Sequence, residues 1–221
     1  MENAFGLRIP ETLGEACDPA RAALLVYDMQ VGVLQQLARS DQVVAAAKRV
    51  VDAARGAGVR VFFCRHMSLP KNVAGVFQLR QAMAWQRVTG VNEVEPWFLR
   101  DSPGFPITPE LQPLATEAVF DKITMSAFEG TPLNIALRDC AMSVFVIVGV
   151  AMEIGIEPTV RHGADLGYIP VVVTDACAAG NEEAAQRALN SIQFVGDAFL
   201  TDTDSICNIW HARTSRDNRA L

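Results

Sequence analysis

The stretch SVFVIVGVAMEIGIEPTVRHGADLGYIPVVVT, residues 143–174, contains two apolar runs separated by a helical pattern. The runs, Ser143 to Val150 and Ile169 to Thr174, are rich in β-branched residues, which strands favour. Between them, from about Glu153 to Leu166, apolar side chains recur at helical spacing. A strand, a helix and a second strand in this order predict two parallel strands joined by a right-handed crossover.

The same alternation extends along the chain in both directions. Further short apolar runs predict strands at Ala22 to Asp28, Val59 to Cys64, Ala118 to Phe120 and, weakly, Ala198 to Thr201. Further helical patterns cover Gln42 to Ala57, Thr131 to Cys140 and Glu182 to Val195. We therefore expect an α/β fold of three layers, α/β/α, around a mostly parallel, six-stranded, Rossmann-like sheet.

Residues 67–112 interrupt this alternation. They contain a helical pattern at Phe77 to Arg87 and then a segment rich in proline. A long insertion at the carboxyl edge of a sheet usually shapes a substrate pocket or an oligomer contact. No repeat or linker divides the chain, so we expect a single domain, 1–221, with its core at about 20–205 and a frayed polar tail at about 212–221.

Composition and charge exclude several classes of protein. The 221 residues are 50% hydrophobic and carry a net charge of −6, which gives no basic surface for nucleic acid or an anionic membrane. The apolar runs are too short to span a bilayer, and residues 1–20 lack the features of a secretory signal. The five cysteines form no CxxC pair, which argues against disulfides and zinc. We expect a cytoplasmic protein with no metal, no cofactor, no nucleic-acid partner and no membrane partner.

Three residues at strand ends are candidates for chemistry. Asp28 ends the run LLVYD, Lys122 follows the run AVFD, and Gly155 lies in the turn GVAMEIG. Parallel strands end at a common edge, where open α/β sheets bind ligands. Asp28 could be a turn residue and Lys122 a solvated surface charge. If they are in contact, the ammonium keeps the carboxylate ionised, and the pair could exchange a proton and stabilise developing negative charge.

Gly155 is predicted to lie in the first turn of the helix after the central strand. N–H groups at a helix start can bind an anion or oxyanion. Glycine inside a helix costs about 1 kcal/mol relative to alanine, so either a close approach or space for a ligand is required here. The alternative is that this glycine serves only helix packing.

Several motifs together resemble a known family. The ordered segments LLVYDMQ, FDKxxxSAF, VGVAxEIxxExTxRHxxDLGY and TDAC resemble the isochorismatase-like hydrolase superfamily, which has the cysteine hydrolase fold and includes nicotinamidases, N-carbamoylsarcosine amidohydrolases and isochorismatases. The resemblance extends from about Ala22 to Phe199.

The resemblance implies a catalytic set. Cysteine-dependent members use an Asp base, a Lys and a Cys nucleophile, with a cis peptide before the nucleophile turn. On this chain, the Asp is Asp28, the Lys is Lys122, and Gly155 stands at the Cys position. The cis bond would join Val150 to Ala151, and the N–H groups of Ala151 and Gly155 would form the oxyanion hole.

Gly155 differs from the nucleophile cysteine of the cysteine-dependent members, and this difference affects the mechanism. Without a thiolate, no acyl-enzyme can form at this position. Isochorismatases also resemble the chain in having glycine there, but their turn is GVYAHIG, and this chain has Ala151 and Glu153 in place of the Tyr and His. The resemblance therefore implies the fold but not isochorismate as the substrate.

We expect a metal-independent hydrolase that acts on a small, anionic metabolite by non-covalent acid/base catalysis through Asp28 and Lys122, cleaving an enol ether or a C–N bond. His66 and Arg65, at the end of the second predicted strand, are candidates for substrate binding. The resemblance also implies a homo-oligomer, a dimer or tetramer. Two alternatives remain: a catalytically silent relative that binds a small molecule or a protein, and a Cys-to-Gly variant of an amidohydrolase.

Overall fold

Strands and helices alternate along the chain, as expected, over residues 1–217, which the computed structural model describes with side chains through Arg213. The strands are β1 (Glu2–Ala4), β2 (Leu7–Ile9), β3 (Ala22–Tyr27), β4 (Arg60–His66), β5 (Ala118–Lys122), β6 (Val144–Val150), β7 (Ile169–Ala178) and β8 (Phe199–Thr201). The α-helices are α1 (Leu13–Ala16), α2 (Val31–Leu34), α3 (Ser40–Gly56), α4 (Val76–Gln86), α5 (Leu133–Asp139), α6 (Glu157–Asp165), α7 (Glu182–Val195) and α8 (Thr203–Asp217).

Six strands form one sheet in the order β5-β4-β3-β6-β7-β8, and every neighbouring pair is parallel. The predicted α/β fold with a six-stranded parallel sheet is confirmed. At its centre, Tyr27 pairs with Cys64 of β4 and with Gly149 of β6. The carboxyl ends of β3, β4 and β6 therefore lie side by side. Strands β1 and β2 form a separate antiparallel hairpin, which was not predicted because its three-residue strands bury almost no side chain.

Helices cover both faces of the sheet. In β3, Leu24 and Val26 pack in a core cluster with residues of α3 and α8. Leu25 and Tyr27 pack on the opposite face, with residues of α5, α6 and α7. Successive strand side chains point to opposite faces, so the apolar run of β3 supplies both clusters.

The C-terminal segment differs from its prediction. Residues 212–217 were expected to fray, but α8 continues through Asp217. Trp210 anchors this helix because it is buried and its Nε1 donates to the carbonyl of Cys17 at 3.1 Å. The rest of the predicted tail, 218–221, lies outside the described residues.

The insertion contains the expected helix, α4, and then a loop that packs on the sheet edge. Buried apolar side chains anchor this loop: Phe98, Phe105, Ile107 and Leu111. Ile107 also forms an isolated bridge to Gln30, just beyond β3. The insertion is therefore held directly against the carboxyl edge. Among the described helices, none is both long and apolar enough to cross a lipid bilayer.

Candidate active site

Asp28 and Lys122 form a buried ion pair at the carboxyl edge of the sheet. Lys122 is the last residue of β5, and Asp28 follows β3, two positions away in the strand order. Lys122 Nζ lies 2.7 Å from Asp28 Oδ2, and the two side chains are 1% and 9% exposed. The predicted contact is confirmed. The same ammonium donates to the carbonyl of Thr124 at 3.2 Å and lies 4.2 Å from the ring centroid of Tyr27.

The pKa of Asp28 is shifted by two opposing effects. Burial raises the pKa of this carboxyl above its ordinary value, and the charge and hydrogen bond of Lys122 lower it. Burial has the larger effect, so the net direction is upward. A raised pKa brings the proton affinity of the carboxylate closer to that needed for acid/base chemistry near neutral pH.

The turn after β6 has the predicted cis peptide but not the predicted free amide. The bond between Val150 and Ala151 is cis. A π-helical turn, Met152–Ile156, follows it, and the N–H of Gly155 donates to the carbonyl of Ala151 at 3.0 Å. The expectation that Gly155 offers a free N–H to an oxyanion is therefore wrong in this structure, because the turn itself uses that group.

Tyr27 fills the space beside Gly155. A Cβ at position 155 would lie 2.0 Å from Tyr27 Oη, so any side chain there would clash with the phenol. Tyr27 Oη donates to the carbonyl of Met125, which fixes the ring. Sequence reasoning missed this role of Tyr27. The available signal was a polar aromatic residue directly before Asp28 in an otherwise aliphatic run.

An open cleft of about 430 Å³ lies over these residues. It brings together most of the predicted site residues: Asp28, His66, Lys122, Ala151 and Gly155. The insertion supplies an aromatic wall of Trp85, Trp97 and Phe98, together with Arg87. Glu153, Gly180 and Asn181 also line the cleft. The insertion therefore shapes the pocket, as its position in the sequence predicted.

His66 is a neutral group in this wall. Burial, and then the nearby charge of Lys122, lower the pKa of His66 to about 3. Its ring lies 5.8 Å from that of Phe98 and 6.4 Å from that of Trp85, both in edge geometry. The imidazole can therefore accept or donate a hydrogen bond to a ligand but carries no charge at neutral pH.

Arg65, the other candidate on β4, does not line the cleft. Its Nε donates to Asp121 at 2.8 Å, and its guanidinium stacks 4.3 Å from the centroid of Phe105. Its predicted substrate-binding role is therefore not supported, because these contacts hold it against β5 and the insertion.

Gln30 has a structural role that sequence reasoning missed. Its side chain is buried and donates to the carbonyls of His66, at 3.0 Å, and Phe105, at 2.8 Å. Its Oε1 accepts from the N–H of His66 at 2.7 Å. Gln30 therefore connects the ends of β3 and β4 to the insertion. The available signal was a polar residue two positions after Asp28.

The cysteine nearest the ion pair is not poised as a nucleophile. Cys64 Sγ lies 3.8 Å from Asp28 Oδ1, and burial raises the pKa of this thiol well above its usual range. A neutral, buried thiol is a poor nucleophile. Within the described residues, no group of three or more His, Cys, Asp or Glu side chains is placed to hold a metal ion.

Comparison with known sequences gives two consistent findings. The model of the isochorismatase domain matches residues 22–205. The ureidoacrylate amidohydrolase RutB of Serratia proteamaculans is 30% identical over 224 residues, covering 94% of this chain and 89% of the relative. The enzyme of the same name from Acinetobacter baylyi is 30% identical over 207 residues, covering 86% and 84%.

Solved structures share the fold. A cysteine hydrolase from Pseudomonas syringae superposes with a TM-score of 0.74 at 21% identity, covering 88% of this chain and 94% of that one. A pyrazinamidase/nicotinamidase from Streptococcus mutans superposes with a TM-score of 0.68 at 23% identity, covering 81% and 99%. At these identities the two similarities show the fold alone.

Proposed function

The chain belongs to the isochorismatase family, and we propose that it is a hydrolase that acts on a small, anionic metabolite without a covalent intermediate. The observation that carries the proposal is the 2.7 Å contact between Asp28 and Lys122 at the cleft. A buried carboxylate with an adjacent ammonium can take a proton from water and return it to a leaving group.

The bond that we favour is a C–N bond of an amide or ureido group. Relatives that match nearly the whole chain are ureidoacrylate amidohydrolases, which supports this choice over an enol ether. Asp28 takes a proton from a water molecule as the water oxygen bonds to the substrate carbonyl carbon. The C–N bond then breaks, and the same proton passes from Asp28 to the leaving nitrogen.

Lys122 stabilises the negative charge that develops on the substrate oxygen when Asp28 takes up a proton. In the resting site its ammonium is paired with the Asp28 carboxylate. When Asp28 takes up the proton, this pairing weakens and the ammonium faces the negative charge that develops on the substrate oxygen. With the Gly155 N–H engaged in the turn, Lys122 takes this role as the charged donor in direct contact with Asp28.

A second candidate function is a catalytically silent relative that binds a small molecule or a protein. The phenol of Tyr27 in the space beside Gly155 favours it, since the chain lacks both a thiol and room for one at this position. The same contact argues against the Cys-to-Gly alternative, because a cysteine at position 155 would require Tyr27 to move.

A cytoplasmic homo-oligomer, a dimer or tetramer, remains our proposal from the family resemblance.

The test is turnover on a substrate panel. The wild-type protein and Asp28→Asn would be incubated with small ureido acids, amides, esters and enol ethers, with product formation followed by chromatography. We expect hydrolysis of at least one ureido or amide compound by the wild type, lost in Asp28→Asn. Binding of panel members without any turnover would instead favour the silent relative.

A further inference from the structure

Four charged side chains line the cleft: Asp28, Arg87, Lys122 and Glu153. Asp28 and Lys122 pair with each other. Glu153 accepts from the N–H of Asn181 at 2.6 Å through Oε1, and its Oε2 is buried without a hydrogen-bond partner among the described residues. Arg87 is exposed and has neither an ion pair nor a side-chain hydrogen bond within the part of the chain that the structure describes. Of the two cations in the cleft, Arg87 is therefore the one that lacks a counter-ion among the described residues.

The backbone fixes where Arg87 sits. It follows the last residue of α4 and has a left-handed conformation, φ 55 and ψ 39. Its N–H and that of Val88 both donate to the carbonyl of Met83, which closes the end of the helix. Glycine or asparagine usually occupies such a position, because other residues are less stable there by about 1–2 kcal/mol. An arginine at this position places a guanidinium at the cleft despite the unfavourable backbone.

The neighbouring groups define what Arg87 can bind. Trp85 and Trp97 line the same cleft and offer flat apolar surface, whereas His66 is neutral and Lys122 is engaged with Asp28. A guanidinium matches the two oxygens of a carboxylate through paired hydrogen bonds. A single unpaired cation suits a monoanion better than a phosphate dianion.

From this geometry we infer that Arg87 is the specificity-determining residue that binds a carboxylate on the substrate, so that the cleft selects carboxylic acids over otherwise identical neutral compounds. The inference rests on the proposed function, since it assigns the substrate class of the same site. It extends that proposal from an anionic metabolite in general to a carboxylate recognised by a named side chain.

The first experiment measures binding without turnover. Calorimetric titration would compare benzoate with benzyl alcohol, two probes that share the flat ring and differ in the charged group. We expect the wild type to bind benzoate about 10-fold more tightly than benzyl alcohol, the usual scale for a charge-assisted pair. In Arg87→Gln this preference should disappear. The matched control is Arg80→Gln, an exposed arginine on the same helix outside the cleft, which should keep it.

The outcomes separate the inference from the proposed function. An unchanged benzoate preference in Arg87→Gln, or tighter binding of phenylphosphonate than of benzoate, would overturn the assignment of Arg87. If ureido acids are hydrolysed and their kcat/KM relative to the corresponding methyl esters is unaffected by Arg87→Gln, the hydrolase stands and the inference fails. If nothing is hydrolysed but benzoate binding depends on Arg87, the inference stands and the hydrolytic function fails.

Discussion

The hydroxyl of Tyr27 occupies the space that any side chain at position 155 would need, because a Cβ on Gly155 would lie 2.0 Å from Tyr27 Oη. While the Tyr27 ring holds this position at the end of β3, the turn after β6 therefore fits against it only with glycine at position 155. Gly155 therefore packs against Tyr27, and its presence is more than the absence of the cysteine that cysteine-dependent members of the family have at this position.

Gly155→Ala should destabilise the fold by about 1–3 kcal/mol, the usual cost of overpacking a filled core. Urea denaturation would measure this loss. Gly56→Ala, near the end of α3, is the matched control, since its Cβ would meet no atom within 4 Å. In a Tyr27→Leu background the cost of Gly155→Ala should shrink. Equal costs in both backgrounds would show that Tyr27 is not the obstacle.

Gly155→Cys is expected from the family resemblance to create a reactive thiol, but the structure changes this expectation. The new Sγ cannot be accommodated while Tyr27 holds its position. The single variant should be destabilised and gain no activity on amides or esters. In Tyr27→Leu/Gly155→Cys, a thiol beside Lys122 should react faster with iodoacetamide. Mass spectrometry of the label on the introduced thiol would compare the two variants, and equal labelling would contradict the prediction.

Asp28→Asn should lower turnover at least ~100-fold, the usual contribution of a positioned acid or base. Asparagine suits the test because Asp28 has a left-handed backbone, φ 49, which asparagine tolerates. Asp52→Asn, on the exposed side of α3, is the control. Similar kcat values for wild type and Asp28→Asn would remove Asp28 from the mechanism.

The profile of kcat/KM against pH should have an acid limb that reports the ionisation of the Asp28 carboxyl. As a base it must be ionised, so activity should fall as the pH drops through its pKa, which burial raises above the ordinary value. Lys122 lowers this pKa, so Lys122→Met should move the acid limb to higher pH. His66, with its pKa lowered to about 3, should contribute no limb near its ordinary pKa. An unchanged acid limb in Lys122→Met would contradict this assignment.

Lys122→Met should also destabilise the fold, since it leaves Asp28 buried without its partner, at a cost of about 3–5 kcal/mol. The raised pKa of Asp28 means that the folded state binds this proton more tightly than the unfolded state does. The destabilisation should therefore be greatest above the folded pKa and should diminish as the pH falls through it. Thermal unfolding across pH would measure this trend, and a constant loss at all pH values would count against it.

Alkylation of the cysteines should leave turnover intact. Burial raises the pKa values of the Cys64 and Cys177 thiols well above their usual range, so both should react slowly. The assay would follow activity and labelling together after iodoacetamide treatment. Inactivation that coincides with a label on Cys64 would mean that the thiol beside Asp28 is the nucleophile.

The sheet and the ion pair were predictable for different reasons. Buried parallel strands are nearly continuous apolar runs, so β3, β6 and β7 were visible in the sequence. Asp28 and Lys122 could be placed together because each follows such a run, and parallel strands end at a common edge. The cis peptide bond between Val150 and Ala151 was predicted from the family resemblance.

The remaining features depend on tertiary packing. Arg65 and His66 are adjacent on β4, so their side chains point in opposite directions, and sequence alone could not tell which of them faces the cleft. Neither the fit of Tyr27 against Gly155 nor the π-helical turn leaves a periodic signal. Arg87 resembles any surface arginine until the cleft is known.

The Gln30 carboxamide imitates a peptide group. It gives and receives hydrogen bonds at His66 as a neighbouring strand would, and its side-chain amide also bonds to Phe105. One side chain thus extends the sheet by a single residue-length and attaches the insertion to it. The insertion that carries the aromatic wall is consequently held to the same strand end as Asp28, so the position of the wall relative to the carboxylate depends on the side chain of one residue, Gln30.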